Sequence, residues 1–423
     1  MDDFETWKNG ITMRACRMDG THSITLILML KGGAAWEIAC QKGITHLTEH
    51  LCFRRCSGMS QEEFYYKIEH MGAFLRGITY RDRVLFEITV IPKHFREAVD
   101  ILRALFDENG WTPKDIRQEK TVVLRQMEDA NDYCLETMTS DFFDRSVSGD
   151  PITGTVKKLE RLTRPQIEAC KTELFCPENC EIILTGPIVP EHTQYLRDRF
   201  SSVARTAAKE RPDIRPKNFL NRRNKDDRLY AGVSDTVKIG LTWDVDTSKV
   251  LPIEGEFLQG LLCSGLFTPF AMRLREELGL LHEIQSGSEF FDFGGYLYLI
   301  FDVHRDSALL LLDEVTKILA RQKNGVDRKA FDCIQAAYTD GAETLMDEPR
   351  RFAYELAFDS GISTPQSYIE RNRQVSYERI CRASSEIFQP RNLIISVNDI
   401  PREQEFRDAI CEKKELLRQT LER

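Results

Sequence analysis

The chain has 423 residues, of which 42% are hydrophobic and 30% charged, an ordinary composition for a globular protein. Its 67 Asp and Glu outnumber its 58 Lys and Arg, and a net charge of −9 argues against a general nucleic-acid binder, which would carry a basic excess. The longest mostly apolar run, 24–30, is too short to cross a bilayer, and the N-terminus has no signal-peptide pattern. Twelve cysteines are too sparse for a disulfide scaffold, so we expect reduced thiols, a cytoplasmic location and no membrane partner.

The first half of the chain predicts a mixture of strands and helices. Residues 11–18 and 23–30 have strand composition and are separated by the turn pair Asp19-Gly20. Residues 83–91 alternate apolar and polar side chains and stop at Pro92, as a strand does. The remaining predicted elements are a strand at 181–185 and helices at 43–53, 61–71, 94–106 and 115–132.

The stretch that follows changes character, because it is rich in Lys, Arg, Asn and Asp and shows little apolar periodicity. Beyond it the same mixture returns, with strands predicted at 236–243, 295–303 and 393–397 and helices over much of 258–278 and at 307–321, 331–345 and 350–359. We therefore predict an N-terminal domain at 1–205, a linker at 206–228 and a C-terminal domain at 229–423. The two domains are expected to be copies of one α+β plan.

One segment of the first half, GITHLTEHL at 43–51, combines residues that can carry chemistry. His46 and His50 are four residues apart and therefore project from one face of a helix, where two imidazoles can share a Zn²⁺ ion. Glu49 borders that face and suits proton transfer better than ligation. The pattern His-x-x-Glu-His is the inverse of the His-Glu-x-x-His zinc motif. Taken alone, it is equally consistent with a surface helix that carries two solvated histidines.

The surrounding sequence favours the metal site. A catalytic zinc has three protein ligands and one open position, so a further ligand is expected from another helix. The candidate helix contains 118–129, where Glu119 and Gln126 are two helical turns apart and face the same way.

With these motifs the chain resembles the insulinase/pitrilysin-type zinc peptidases, or inverzincins, a family that includes the mitochondrial processing peptidase and short bacterial relatives. The resemblance extends over nearly the whole chain, through GITHLTEH at 43–50, EHMGA at 69–73, EKTVVLR at 119–125, CPENC at 176–180 and LREELGLLH at 274–282. It implies an α+β fold of two homologous domains, each a mostly antiparallel sheet covered by helices, that face each other across a chamber.

Carried over residue by residue, the resemblance makes His46 and His50 zinc ligands and Glu49 the general base. Glu119 matches a glutamate that supports the site from outside the ligand shell. The third ligand should be a second glutamate at position 126, where this chain has glutamine. An amide oxygen brings no full charge to the cation, so we expect a lower zinc affinity.

Three explanations of Gln126 are open. The protein binds zinc weakly through Gln126, with or without an inward shift of Glu119; it is a naturally inactive homologue; or the glutamine was engineered to trap an inactive form. Glu128 is a poor substitute, because two residues along a helix turn its side chain about 200° away.

The second half carries a weaker signal in LREELGLLH. The resemblance makes Arg275 a residue that reaches toward the substrate, together with a tyrosine seven residues later. That position is His282 here, and histidine can still donate a hydrogen bond to a developing oxyanion. The alternative is an ordinary charged helix end followed by a loop histidine. The histidine at the position of this tyrosine also suggests that this chain is the metal-bearing partner of a heterodimer.

The expected function is a zinc-dependent endopeptidase that cleaves unfolded peptides or leader segments, including precursor peptides, by attack of a metal-activated water. A homodimer, or a heterodimer with a paralogous subunit, is the expected assembly. One alternative is a catalytically silent homologue that binds peptide or supports an active subunit. The other is a structural core subunit of a membrane complex, although such relatives usually lack the intact histidine pair.

Overall fold

The computed structural model describes residues 2–107, 110–128, 138, 151–204, 228–232, 234–291 and 294–423. These residues form two compact units. The first contains the described residues up to 128, those from 151 to 204 and those from 342 to 368, and the second contains the others. Among the described helices, none has both the length and the apolar character that a membrane span requires.

The sheet of the first unit is built from β1 (Asp2–Thr6), β2 (Thr12–Arg17), β3 (Ile24–Lys31), β4 (Phe74–Thr79), β5 (Arg83–Val90) and β6 (Cys180–Gly186). Their order is β1-β2-β6-β3-β5-β4. The β2–β6 pair is parallel and the other pairs are antiparallel. Within the described sheet β4 pairs with β5 alone and therefore forms one edge.

The helices are α1 (Ile44–Cys52), α2 (Gln61–His70), α3 (Phe95–Ala104), α4 (Pro113–Glu128), α5 (Val156–Arg161), α6 (Arg164–Leu174), α7 (Pro190–Phe200), α8 (Pro252–Cys263), α9 (Ala308–Asn324), α10 (Arg328–Thr339), α11 (Pro349–Phe358), α12 (Pro365–Arg373), α13 (Tyr377–Ile387) and α14 (Gln404–Glu422). Of these, α1 to α7 and α11 belong to the first unit. A π-helical turn, Ala271–Glu277, follows α8.

The continuous apolar run of β3 reflects a strand that is covered on both faces, since seven of its eight residues are buried. Leu26, Leu28 and Leu30 join the core that the first unit's helices form on one face. On the other face α11 packs against β3 and β6. Helix α11 comes from far along the chain and is nevertheless an integral layer of the first unit.

Polar contacts as well as packing hold α11 in place. The carboxylate of Glu87 on β5 is fully buried and accepts hydrogen bonds from the guanidinium of Arg350 and, at 2.6 Å, from the hydroxyl of Tyr354. The hydroxyl of Thr185 on β6 donates to the carbonyl of Pro349 at 2.7 Å. A buried charge needs such partners, so Glu87 ties the position of α11 to the sheet.

The second unit repeats the plan with a sheet of β7 (Arg228–Ala231), β8 (Thr236–Val245), β9 (Ile284–Phe291), β10 (Gly294–His304) and β11 (Leu393–Ile400), in the order β7-β11-β8-β10-β9. Only the β7–β11 pair in this described sheet is parallel. Met138 belongs to this unit and packs against Ile300 of β10. The predicted α+β fold of two mostly antiparallel, helix-covered sheets is confirmed.

Most predicted elements are present with ends shifted by a few residues, and much of 258–278 is helical as predicted, in α8 and in the π-helical turn. Helix α8 ends at Cys263, and Gly265 then adopts a φ of 106°, a left-handed conformation that interrupts the helix. Strand β4 was not predicted, because Gly77 weakens its strand character. Except for Arg228, the predicted linker lies outside the described residues, so the domain boundaries stay a prediction.

We predict that Arg350→Ala lowers the stability of the first unit by about 2 kcal/mol, because it removes a charged hydrogen-bond partner from a buried carboxylate. The measurement is the shift of the urea unfolding midpoint. Arg351→Ala is the matched control, since Arg351 is exposed and pairs with Glu348 only at 3.8 Å. An Arg350→Ala midpoint equal to that of the control would show that Glu87 does not depend on this arginine.

Candidate metal centre

Helix α1 presents one face to the core and another to the predicted site. Ile44, Leu47 and Leu51 are buried in the core of the first unit. His46 and Glu49 are also buried, and His50 is partly buried, on the face that meets α4. The spacing of three and four residues brings these polar side chains together, as the sequence predicts.

The two histidine rings lie side by side with their centroids 4.5 Å apart. The Nε2 atom of His46 is 3.1 Å from the Oε1 atom of Gln126. The Nδ1 atom of His50 is 3.2 Å from the Oε2 atom of Glu119. Helix α4 therefore brings both of its predicted residues to the histidine pair, one to each ring.

This arrangement fits a metal ion. His46, Glu49 and His50 each offer a ligand atom, and these atoms lie within 4.8 Å of one another. The buried Nδ1 atom of His46 has no hydrogen-bond partner among the described residues, and the nearest acidic oxygen is that of Glu49 at 3.5 Å. Imidazole and carboxylate groups are the donors that Zn²⁺ prefers, together with thiolates.

Glu119 is fixed from two sides. Its Oε2 atom faces His50 and its Oε1 atom accepts a hydrogen bond from the guanidinium of Arg54. Burial by itself would raise the pKa of Glu119, but the hydrogen bonds from His50 and Arg54 outweigh burial and hold that pKa below its ordinary value. An inward shift of Glu119 to replace the missing ligand would break both contacts. Gln126, whose Oε1 atom faces the His46 ring, is therefore the α4 residue better placed to offer an oxygen at the site.

Glu49 is held against the edge strand β4. Its Oε2 atom accepts a hydrogen bond from the hydroxyl of Thr79 at 3.3 Å. Its Oε1 atom lies over Gly77, where a Cβ atom would come within 2.1 Å of it. The absence of a side chain at position 77 thus provides the space that the carboxylate occupies.

The two predicted residues of the second half lie in the second unit. Arg275 belongs to the π-helical turn and forms an ion pair with its neighbour Glu276 at 3.3 Å. His282 is exposed in the loop that leads to β9. Both residues have solvent-exposed polar groups, and their roles in substrate binding stay predictions.

Sequence reasoning missed four residues that support the site: Glu37, Arg54, Gly77 and Thr79. Arg54 could have been proposed from its position one helical turn after His50. Gly77 and Thr79 reach Glu49 only because β4 lies beside α1 in the fold, and no local pattern signals that contact. Glu37 accepts hydrogen bonds from the backbone of Gly43 and Thr45, although it precedes α1 by several residues.

Two family models match the chain. The model described as Insulinase (Peptidase family M16) matches residues 15–156, and the model described as Peptidase M16 inactive domain matches residues 161–338. An uncharacterized zinc protease of Rickettsia bellii is 22% identical over 92% of this chain and 94% of its own length. The mitochondrial-processing peptidase subunit beta of Saccharomyces cerevisiae is 23% identical over 47% of this chain and 44% of its own.

Solved structures share the fold. A protease from Helicobacter pylori superposes with a TM-score of 0.82 at 15% identity, covering 95% of this chain and 99% of its own. A peptidase M16 inactive domain from Pseudomonas fluorescens has a TM-score of 0.78 at 13% identity, with coverage of 95% and 99%. At these identities the likeness concerns the fold alone.

We predict that Gln126→Glu raises zinc affinity at least about tenfold, because it replaces a neutral oxygen beside His46 with a charged one of nearly the same shape. Gln118→Glu is the matched control, since it makes the same charge change at an exposed position of α4. The measurement is competition with a fluorescent zinc chelator after removal of metal. Equal tight binding by the wild type and by Gln126→Glu would contradict the prediction.

Proposed function

Because the chain belongs to the insulinase (M16) peptidase family, we propose that it is a zinc-dependent endopeptidase that cleaves unfolded peptides or leader segments. The observation that carries the proposal is the meeting of α1 and α4: ligand atoms of His46, Glu49 and His50 lie within 4.8 Å of one another, and the amide oxygen of Gln126 lies 3.1 Å from the His46 ring. A merely structural pair of helices would not need a buried imidazole beside a buried acid at this point.

In this proposal His46 and His50, with the amide oxygen of Gln126, would hold a zinc ion. When bound, zinc supplies a Lewis acid that polarises a carbonyl group and lowers the pKa of water. Glu49 takes a proton from water at its carboxylate and returns it to the departing amine. The hydroxyl of Thr79 keeps the carboxylate in position during both transfers.

The proposed substrate is an extended peptide. In the described sheet β4 has an edge that pairs with no other strand, and an extended chain can add to such an edge through main-chain hydrogen bonds. Gly77 and Thr79 of β4 contact Glu49, so a peptide on this edge would lie next to the general base. A folded protein has few free strands to offer, which favours unfolded peptides or leader segments, and precursor peptides by analogy.

Arg275 and His282 are proposed to steady the substrate, since a guanidinium and an imidazole can each donate hydrogen bonds to a carbonyl oxygen or an oxyanion. The model described as an inactive domain matches residues 161–338, which include Arg275 and His282 but none of the proposed metal ligands. A cytoplasmic location is part of the proposal. So is the assembly, a homodimer or a heterodimer in which this chain is the metal-bearing partner, as one relative is named a beta subunit.

Gln126 favours a second candidate function, that of a catalytically silent homologue that binds peptide or partners an active subunit. A neutral third ligand leaves less charge on the protein to bind the cation and to set the acidity of its water. The edge of β4 would bind a peptide equally well without any metal.

Cleavage of fluorogenic peptides in the presence of zinc separates the two functions. We predict that Glu49→Gln lowers kcat at least about 100-fold, because an amide cannot accept the proton. If its tighter zinc binding raises the activity of Gln126→Glu, the same substitution in that background should abolish the gain. Equal rates from the wild type and Glu49→Gln, with peptide still bound, would leave the silent homologue as the function.

We also predict that Gly77→Ala lowers kcat by about tenfold or more and leaves zinc affinity nearly unchanged, because the three atoms nearest to its Cβ atom belong to the Glu49 carboxylate and the Phe53 ring, not to a histidine. The control is Gly72→Ala, which adds the same methyl group where nothing lies within 4 Å, although its positive φ adds some strain. A Gly77→Ala enzyme with unchanged kcat would show that Glu49 is not needed at its present position.

A further inference from the structure

Helix α1 begins without a cap of its own. Its N-cap residue is Gly43, with a φ of 91°, and no side chain of the helix caps the first turn. The first backbone N–H groups of a helix have no partner within it and are usually satisfied by a Ser, Thr, Asp or Asn at the N-cap. Gly43 cannot do this, so the partner must come from elsewhere in the chain.

Glu37 fills this role with both of its carboxylate oxygens. The Oε2 atom accepts a hydrogen bond from the N–H group of Gly43 at 2.8 Å, and the Oε1 atom accepts one from the N–H group of Thr45, also at 2.8 Å. Glu37 itself follows the short 3₁₀ turn Ala34–Trp36, whose Ala34 carbonyl accepts a hydrogen bond from the buried ammonium group of Lys42 at 3.1 Å. The cap is therefore built on an anchored segment rather than on a loose loop.

We infer that Glu37 is a positioning residue for the metal centre, which fixes the start of α1 and thereby the placement of His46. The inference rests on the proposed function in one respect, the presence of a metal at the histidine pair. His46 directly follows Thr45, whose amide is one of the two that Glu37 holds. A displacement of the Thr45 backbone would therefore move the His46 ring more directly than it moves any other candidate ligand.

The negative charge of Glu37, like its hydrogen bonds, favours metal binding near the start of α1. The N-terminus of a helix carries a partial positive charge, which opposes the binding of a cation near the first turn. The carboxylate of Glu37 lies on that terminus and offsets the partial charge. Loss of Glu37 would therefore both loosen His46 and expose the cation to an unfavourable potential.

The competing interpretation is that Glu37 only stabilises a helix, as many capping residues do. Helix α2 offers a matched control in the same unit, because Glu63 completes its capping box by accepting hydrogen bonds from the N–H and hydroxyl groups of Ser60. The two glutamates each accept two hydrogen bonds at a helix start, but those of Glu63 stay within its own capping box, so among the described hydrogen bonds its loss reaches no histidine directly. A purely structural role predicts similar effects of both substitutions on metal binding.

The test compares Glu37→Ala, Glu37→Gln and Glu63→Ala with the wild type at pH 8. This pH keeps the Glu37 carboxylate ionised, since burial raises its pKa to about 7 against the opposing hydrogen bonds from Thr45 and Gly43. Zinc affinity is measured by chelator competition, the ligand geometry by the absorption spectrum of the Co²⁺-substituted protein, and stability by the thermal midpoint without metal.

We expect Glu37→Ala to weaken zinc binding about 10- to 100-fold and to change the Co²⁺ spectrum, as loss of a supporting partner does at metal sites. Glu37→Gln keeps one acceptor oxygen without the charge and should bind zinc with an intermediate affinity. Glu63→Ala should bind zinc as the wild type does. Wild-type affinity and an unchanged spectrum in Glu37→Ala, or an equal loss of affinity in Glu63→Ala, would overturn the inference.

Hydrogen–deuterium exchange of the metal-free proteins separates this inference from the proposed function. If the wild type binds no zinc, the proposed function fails, and the exchange of the Gly43 and Thr45 amides then decides whether Glu37 fixes the start of α1. Faster exchange at these amides in Glu37→Ala, with the amides of α2 unchanged, supports that placement. Equal exchange in the wild type and Glu37→Ala overturns it.

Discussion

The register between α1 and α4 is the constraint on which the site depends. One helix contributes two imidazoles a turn apart, and the other contributes two oxygen donors two turns apart. Each imidazole faces one of the two oxygen donors: His46 lies opposite Gln126, and His50 lies opposite Glu119. A displacement of either helix by one residue would rotate its donors away by about 100°. The packing of Leu47 and Leu51 into the core, on a different face of α1, holds this register.

Around this pair of helices, each neighbouring element contributes one constraint. Strand β4 supplies the hydroxyl of Thr79 and the empty space at Gly77, and so determines where the Glu49 carboxylate lies. The segment before α1 supplies Glu37, which fixes where the helix begins. Helix α11 covers the opposite face of the sheet and is held by the buried carboxylate of Glu87 on β5, the strand that pairs with β4. The layers on both faces of the sheet are therefore connected through adjacent strands.

The sequence was sufficient to predict those features that depend on local spacing. The histidine pair, Glu49 and the pairing with Glu119 and Gln126 follow from helical periodicity and from the family motifs, and the structure places these side chains together. The contacts of Glu49 with β4 could not be predicted, because they depend on which strand lies beside α1. The cap by Glu37 was also hidden, since the usual signal is a polar residue at the N-cap and this helix has glycine there. The position of the break after α8 was not predicted, because apolar periodicity continues across Gly265, whose left-handed conformation lies between α8 and the π-helical turn.

Gln126 changes the charge of the site without changing its shape. Glutamine and glutamate have nearly the same volume, and the amide oxygen of Gln126 approaches His46 as a carboxylate oxygen would. Glu119 cannot restore the missing charge by moving inward, because Arg54 and His50 each hold one of its oxygens. The nearest remaining carboxylate is that of Glu49, which must stay free to take up a proton if the site is catalytic. With a cation in this site, the Glu49 carboxylate could either accept a proton as a base or remain charged to balance the cation. One carboxylate cannot do both at once. Whether the site acts as a peptidase or as a silent homologue therefore depends on the charge of one side chain, at position 126.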